Sequence, residues 1–130
     1  GRLVTALLGA ALSGEAFAVH GGGTQTRSLS YVDDTVDGLF RVMRDRDLAG
    51  VPVNVGNDAE VSVVNLVLAV ERVLGVPVRT RHAARQDCDD PVRRRPDLTV
   101  LRSLGWAPRV GLDEGIRRTA EWMRSELGKH

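Results

Sequence analysis

The chain has 130 residues, 42% of them hydrophobic and 27% charged, and a formal net charge of +1. That is long enough for one domain with a real core, and the composition is ordinary for a soluble globular protein. Carboxylates balance the basic residues, which argues against general binding to nucleic acid or anionic membrane, and no run of about eighteen apolar residues offers a membrane span.

A single cysteine, Cys88, forbids an internal disulfide and fits a reducing, cytoplasmic setting. Seventeen of the eighteen basic residues are arginine, the exception being Lys129. A G+C-rich coding sequence would be enough to explain most of that bias. The first residue is Gly1 rather than methionine, so the chain is expected to be a piece of something longer.

In chain order, residues 3–13 predict a helix that ends at Gly14, and its early polar break speaks against a signal peptide. Phe17–His20 predicts a short strand running into Gly21-Gly22-Gly23, and Leu29–Val32 a second strand. Asp33 or Asp34 then caps a helix with Val36, Leu39, Phe40 and Met43 at helical spacing on its apolar face. Val51–Gly56 is strand-like. Ser62 is a good cap for a helix that buries Val63, Leu66, Val67, Val70, Val73 and Leu74 and stops at Gly75.

Val76–Arg81 predicts another strand, and residues 83–95 a polar loop of the length that often carries function. Pro96 and Asp97 open a short helix through Leu98, Val100, Leu101 and Leu104, ended by Gly105-Trp106-Ala107-Pro108. A last helix from Leu112 carries Ile116, Ala120, Met123 and Leu127. Alternating helices and strands make the class α/β, with residues 1–130 as one region.

Two arginines stand out. Arg27 closes the run Gly21-Gly22-Gly23-Thr24-Gln25-Thr26-Arg27, and Arg94 lies in Asp89-Asp90-Pro91-Val92-Arg93-Arg94-Arg95-Pro96-Asp97. A planar guanidinium grips phosphate oxygens in pairs, so two of them on separate segments could clamp a diphosphate. A glycine triplet is equally at home in an ordinary turn, and residues 87–97 also read as a self-neutralising surface loop.

Other chemistries fit less well. No Gly-Lys-Ser/Thr exists for a phosphate loop, and the triplet does not open a dinucleotide-binding βαβ unit. His82, Cys88 and the aspartates match no metal-ligand spacing. Cys88 lacks a defined base. Tyr31 is followed four residues later by Thr35, so no Tyr-x-x-x-Lys couple is present.

Taken in order, these segments resemble the C-terminal, substrate-binding half of an extended short-chain dehydrogenase/reductase, the NAD-dependent epimerase/dehydratase family of Rossmann-fold proteins. The run from Gly14 to Asp34 resembles that family's Gly-Glu-Pro-Leu-x-Val-Tyr-Gly-x-Gly-x-Gln-Thr-Arg…Tyr-Val-x-Asp stretch. Val53–Asn57, Asp97–Pro108, and Leu112 with Glu114 and Gly115 resemble later family motifs. Asp89-Asp90-Pro91, Arg94 and Pro96-Asp97 are most similar to the UDP-glucuronate decarboxylases.

The resemblance implies a UDP-sugar ligand whose diphosphate meets Arg27 and Arg94. Ala18, His20, Val4 and Thr5 would line the base, with Gln25 and Val63 completing the pocket and Asp97 near the ribose. It also implies NAD bound by a Rossmann half absent from this chain, which takes hydride from the sugar C4 and returns it after the 4-keto acid loses carbon dioxide. A homodimer is implied for the complete protein. His20 stands where the family commonly has tyrosine or phenylalanine, and Ala6 where the decarboxylases tend to have asparagine. A related 4,6-dehydratase or 4-epimerase, and a stand-alone non-catalytic binding module, remain as alternatives.

Overall fold

The computed structural model describes residues 2–84 and 94–127, in which five helices are interleaved with four short strands. Helix α1 (Arg2–Ser13) leads into β1 (Phe17–His20), where Phe17 and Val19 turn to the core and Ala18 and His20 to the other face, the period of two that a strand imposes. β1 pairs in parallel with β4 (Thr80–Ala83), Phe17 opposite Thr80 and His20 opposite Ala83. A parallel pair needs a long crossover, and here that crossover holds every element between them.

After β1 the chain turns on Gly21–Gly23, all three at positive φ (55°, 79° and 73°), a region that side chains with a Cβ rarely adopt. Gly23 has a second reason: a Cβ there would stand 2.7 Å from Val64 Cγ2 and 2.8 Å from Val19 Cγ1. The turn delivers β2 (Thr26–Ser28), antiparallel to β3 (Glu60–Ser62), with Arg27 opposite Val61. The strand expected at Leu29–Val32 is therefore displaced toward the N-terminus. Pairing with β3 fixes the ladder at residues 26–28, and Leu29 packs against the core instead.

Helix α2 (Val32–Arg44) starts without a side-chain cap, contrary to the role expected of Asp33 or Asp34. Asp34 is 4% exposed and turned inward. Its carboxylate accepts the backbone N–H groups of Arg109 (3.1 Å) and Val110 (3.0 Å), and its carbonyl accepts Trp106 Nε1 at 2.9 Å. A buried carboxylate survives because it is fully hydrogen-bonded. Consequently the face of α2 that packs inside is the one with Asp34 and Gly38. The expected apolar face looks outward: Val36, Leu39, Phe40 and Met43 are 43%, 48%, 53% and 77% exposed.

Helix α3 (Val63–Leu74) follows the sequence pattern closely. Ser62 Oγ accepts the Asn65 N–H at 3.2 Å, Val63, Leu66, Val67 and Val70 are buried, and Val73 and Leu74 pack at the core's edge. The strand expected at Val76–Arg81 begins only at Thr80, because β1 is the ladder partner and its register starts there. Val78 is buried in the core just before it. Residues 51–56, expected as a strand, make no ladder with any described residue, although Val53 and Val55 pack on Trp106, Leu98 and Leu101.

Helix α4 (Thr99–Ser103) starts three residues after Pro96, and the Asp97 carboxylate accepts both the N–H (2.9 Å) and the hydroxyl (2.6 Å) of Thr99. Helix α5 (Leu112–Leu127) buries Ile116 and Ala120 against α3, and Arg72 binds Asp113 through two bonds of 3.2 and 2.6 Å. The loop expected at 83–95 falls mainly on residues 85–93, and these, with Cys88, lie outside the described residues.

Candidate nucleotide-sugar site

The wall of the candidate site is β1. Because Phe17 and Val19 occupy the core, Ala18 and His20 are left facing away from it, beside the N-terminal half of α1 and the start of α3. Between these elements lies a cavity of about 650 Å³, within the range of small-molecule sites. Ala18, His20, Gln25 and Val63, four of the residues singled out in the sequence, line it together with Ala6 and Ala10.

Gln25 organises this cavity. Its Nε2 donates to the His20 carbonyl at 3.0 Å, which closes the glycine turn, and its own carbonyl accepts the Val63 N–H at 3.2 Å. One residue thus ties the end of β1 to the first turn of α3. The His20 imidazole donates from Nδ1 to the Ala84 carbonyl at 3.0 Å, which fixes its ring on the β1–β4 side. Small side chains on α1, Ala6 and Ala10 one turn apart, leave the opposite wall open to a flat ligand.

Arg27 stands in β2 rather than in a loop, two residues beyond Gln25, and its guanidinium donates to the Thr26 carbonyl at 2.7 Å. The strand is stiffened by Thr26 Oγ1 donating to Glu60 at 2.8 Å. Arg94 is exposed and is drawn to the same strand: the Ser28 hydroxyl donates to its carbonyl at 3.0 Å. The two arginines thus come from separate segments that meet at β2.

The remaining expected residues are not gathered into this cavity. Val4 lines a different cleft of about 470 Å³ with Tyr31, Glu60, Arg109 and Ile116. Thr5 is exposed on α1. Asp97 borders a shallow depression with Asp58, Arg95 and Arg102. The hydroxyl and N–H of Thr99 hold the Asp97 carboxyl below the usual carboxylate range. At Asp58 partial burial pushes the pKa up, but the Arg102 charge and hydrogen bonds from Arg95 and Arg102 outweigh it and leave the carboxyl lowered.

Sequence reasoning did not assign Ala10, Gln25's bridging role or Ser28. The i, i+4 spacing of Ala6 and Ala10 was a readable signal for the first. The other two depend on pairings between distant segments. Among the described residues no cluster of three or more His, Cys, Asp or Glu side chains could hold a metal ion, and no helix is long and apolar enough to cross a membrane. The Gly21–Gly23 turn opens into β2 and not into a helix N-terminus, so these residues do not fit NAD as a dinucleotide cradle.

Residues 1–56 match the model of the NAD dependent epimerase/dehydratase family. The chain is 40% identical to UDP-glucuronic acid decarboxylase 5 of Arabidopsis thaliana over 131 aligned positions, covering all of this chain and 38% of that protein. Its fold superposes on UDP-glucuronic acid 4-epimerase from Bacillus cereus, solved with UDP-glucuronic acid and NAD, with a TM-score of 0.88 at 20% identity, covering 95% of this chain and 40% of that one. MoeE5, solved with UDP-glucuronic acid and NAD, superposes with a TM-score of 0.84 at 29% identity, over 95% of this chain and 41% of that one.

The chain thus resembles the NAD dependent epimerase/dehydratase family over its first 56 residues and shares the fold of Rossmann-type enzymes over 95% of its length. Its sequence is similar to the UDP-glucuronic acid decarboxylases, and it spans less than two fifths of the length of the relative cited.

Proposed function

We propose that this chain is the UDP-sugar-binding portion of an NAD-dependent UDP-glucuronate decarboxylase, which converts UDP-glucuronate to UDP-xylose and carbon dioxide. The observation that carries the reading is the junction at β2. There a cavity lined by Ala18, His20, Gln25 and Val63 adjoins the strand that bears Arg27 and holds the backbone of Arg94. A base in the cavity would leave its diphosphate near two guanidiniums, each able to give paired, charge-assisted hydrogen bonds. Asp97, Val4 and Thr5 lie outside this cavity; the Asp97 carboxylate is an acceptor suited to a ribose hydroxyl beyond it.

The division of labour follows from what the chain holds. It offers donors for phosphate and a shaped cavity, and its sequence has no Tyr-x-x-x-Lys couple. NAD, which supplies reversible hydride transfer when bound, would be held by a Rossmann half of the same protein lying outside this chain. Two features support such a partner. The apolar face of α2 is exposed, and the adjoining segment 51–56 has no ladder partner among the described residues. Both suit burial against a parallel sheet, whose faces are covered by helices and whose strands pair edge to edge. In this reading the complete protein is a cytoplasmic homodimer, and the chain by itself binds without catalysing.

A second reading, a nucleotide-sugar 4,6-dehydratase or 4-epimerase, is left open by Ala6, which takes the place of the decarboxylases' usual asparagine and so removes a polar contact. Product analysis separates the two. The complete protein with NAD and UDP-glucuronate is expected to release carbon dioxide and a UDP-pentose. Formation of the C4 epimer with retention of the carboxylate would replace the first reading by the second, and no turnover of any nucleotide sugar would leave a non-catalytic binding module.

A further inference from the structure

We infer that Ser28 is a positioning residue of the diphosphate clamp, its hydroxyl setting where Arg94 stands relative to Arg27. The inference rests on the reading of those two arginines as the diphosphate-binding pair. Arg27 needs no further anchor, because its strand is laddered to β3 and braced by the Thr26–Glu60 hydrogen bond. Arg94 belongs to no helix or strand, so its place depends on individual contacts. The bond from Ser28 Oγ to the Arg94 carbonyl, 3.0 Å long, joins positions 66 residues apart and starts from the residue next to Arg27.

The contact grips main chain, so it fixes the Arg94 Cα whatever rotamer the guanidinium adopts. Two cations bind one diphosphate more tightly when the backbone of the second is already in place, since only its side chain is then left to order on binding. Serine is suited to this: its hydroxyl rotates to donate, and its short side chain adds little entropy loss. Ser28 itself need not touch the ligand.

The test is calorimetric titration of the complete protein with UDP and with UMP. Ser28→Ala is expected to weaken UDP about three- to tenfold, the scale of one lost neutral hydrogen bond, and UMP much less. Ser28→Thr, which keeps the hydroxyl, should restore UDP affinity. In an Arg94→Ala background, Ser28→Ala should cause no further loss, because it acts through Arg94. Should Ser28→Ala fail to fold, Ser28→Cys, with a weaker donor of similar shape, carries the same comparison. An equal loss in both backgrounds, or an unchanged UDP affinity while Arg27→Ala and Arg94→Ala each weaken it, overturns the role of Ser28. If neither arginine variant affects UDP, the clamp itself fails, which is a separate result.

Discussion

The two hydrophobic clusters of this chain differ in how completely they are closed. The larger joins α1, β1, α3 and α5, and Leu7, Leu8, Leu66, Val70 and Ala120 in it are wholly sealed from solvent or nearly so. The smaller has Leu98, Leu101 and Trp106 at its centre, with Val42, Val53 and Val55 packed around them. It sits beneath α2, whose opposite face exposes Val36, Leu39, Phe40 and Met43. Single exposed apolar residues are ordinary, but a contiguous helical stripe marks a contact surface. One cluster is closed within the chain, and the other lies under a helix whose outer face is apolar and exposed.

The sharpest way to break this comparison is Phe40→Ala in the complete protein. If the α2 stripe is covered there, stability should fall by about 3–5 kcal/mol in urea unfolding, as for a core phenylalanine. A change within about 0.5 kcal/mol, the scale of a surface site, would show that α2 faces water. Leu66→Ala in the closed cluster should cost about 2–5 kcal/mol whether or not the second cluster is covered.

Gly38→Val probes how tightly the smaller cluster is packed where it is complete. A Cβ at Gly38 would lie 2.7 Å from Val55 Cγ1 and 3.2 Å from Trp106 Nε1. Overpacking of this kind should lower stability by about 1–3 kcal/mol, and an unchanged unfolding midpoint would mean that the 51–56 segment moves freely.

The smallest expected effect is acid-dependent. Asp58, Asp97 and Glu114 all titrate below the ordinary carboxylate range, Glu114 because Arg117 and Arg118 hydrogen-bond it. A lowered folded pKa means that the stabilisation is present above the unfolded value and is lost as pH falls through the folded one. Asp97 is exposed, and Asp58 and Glu114 are half-buried beside exposed arginines, so the effect is modest and weakens with salt. Asp58→Asn should flatten the fall of the urea midpoint below the usual carboxylate pKa, and an identical acid profile would remove Asp58 from the account.

What could be read from the sequence was what is local. The caps, stops and helical spacing of α3 and α5 depend on neighbours within a few residues, and Ser62, Leu66, Ile116 and Ala120 all behave as their spacing predicts. The glycine turn and the strand before it were legible for the same reason, and they located Ala18, His20 and Gln25. Pairing between distant segments was not legible. It moved β2 from 29–32 to 26–28, shortened β4 at its start, and left 51–56 without a ladder partner among the described residues.

The orientation of α2 was the clearest miss. Its periodicity reveals an apolar face but not what lies opposite, and the inward side is decided by hydrogen bonds from Trp106, Arg109 and Val110 to Asp34, more than seventy residues away. The site was half legible. Arg27 and Arg94 could be singled out by their places in two motifs, whereas the contact of their segments at Ser28 needed the fold.

The central claim, a diphosphate held between β2 and the Arg94 segment, is tested most directly by titrating UDP into the complete protein and its Arg27→Ala and Arg94→Ala variants. Each variant should bind about 1.5–3 kcal/mol more weakly, the scale of a lost charged hydrogen bond. Unchanged affinity in both would contradict the clamp.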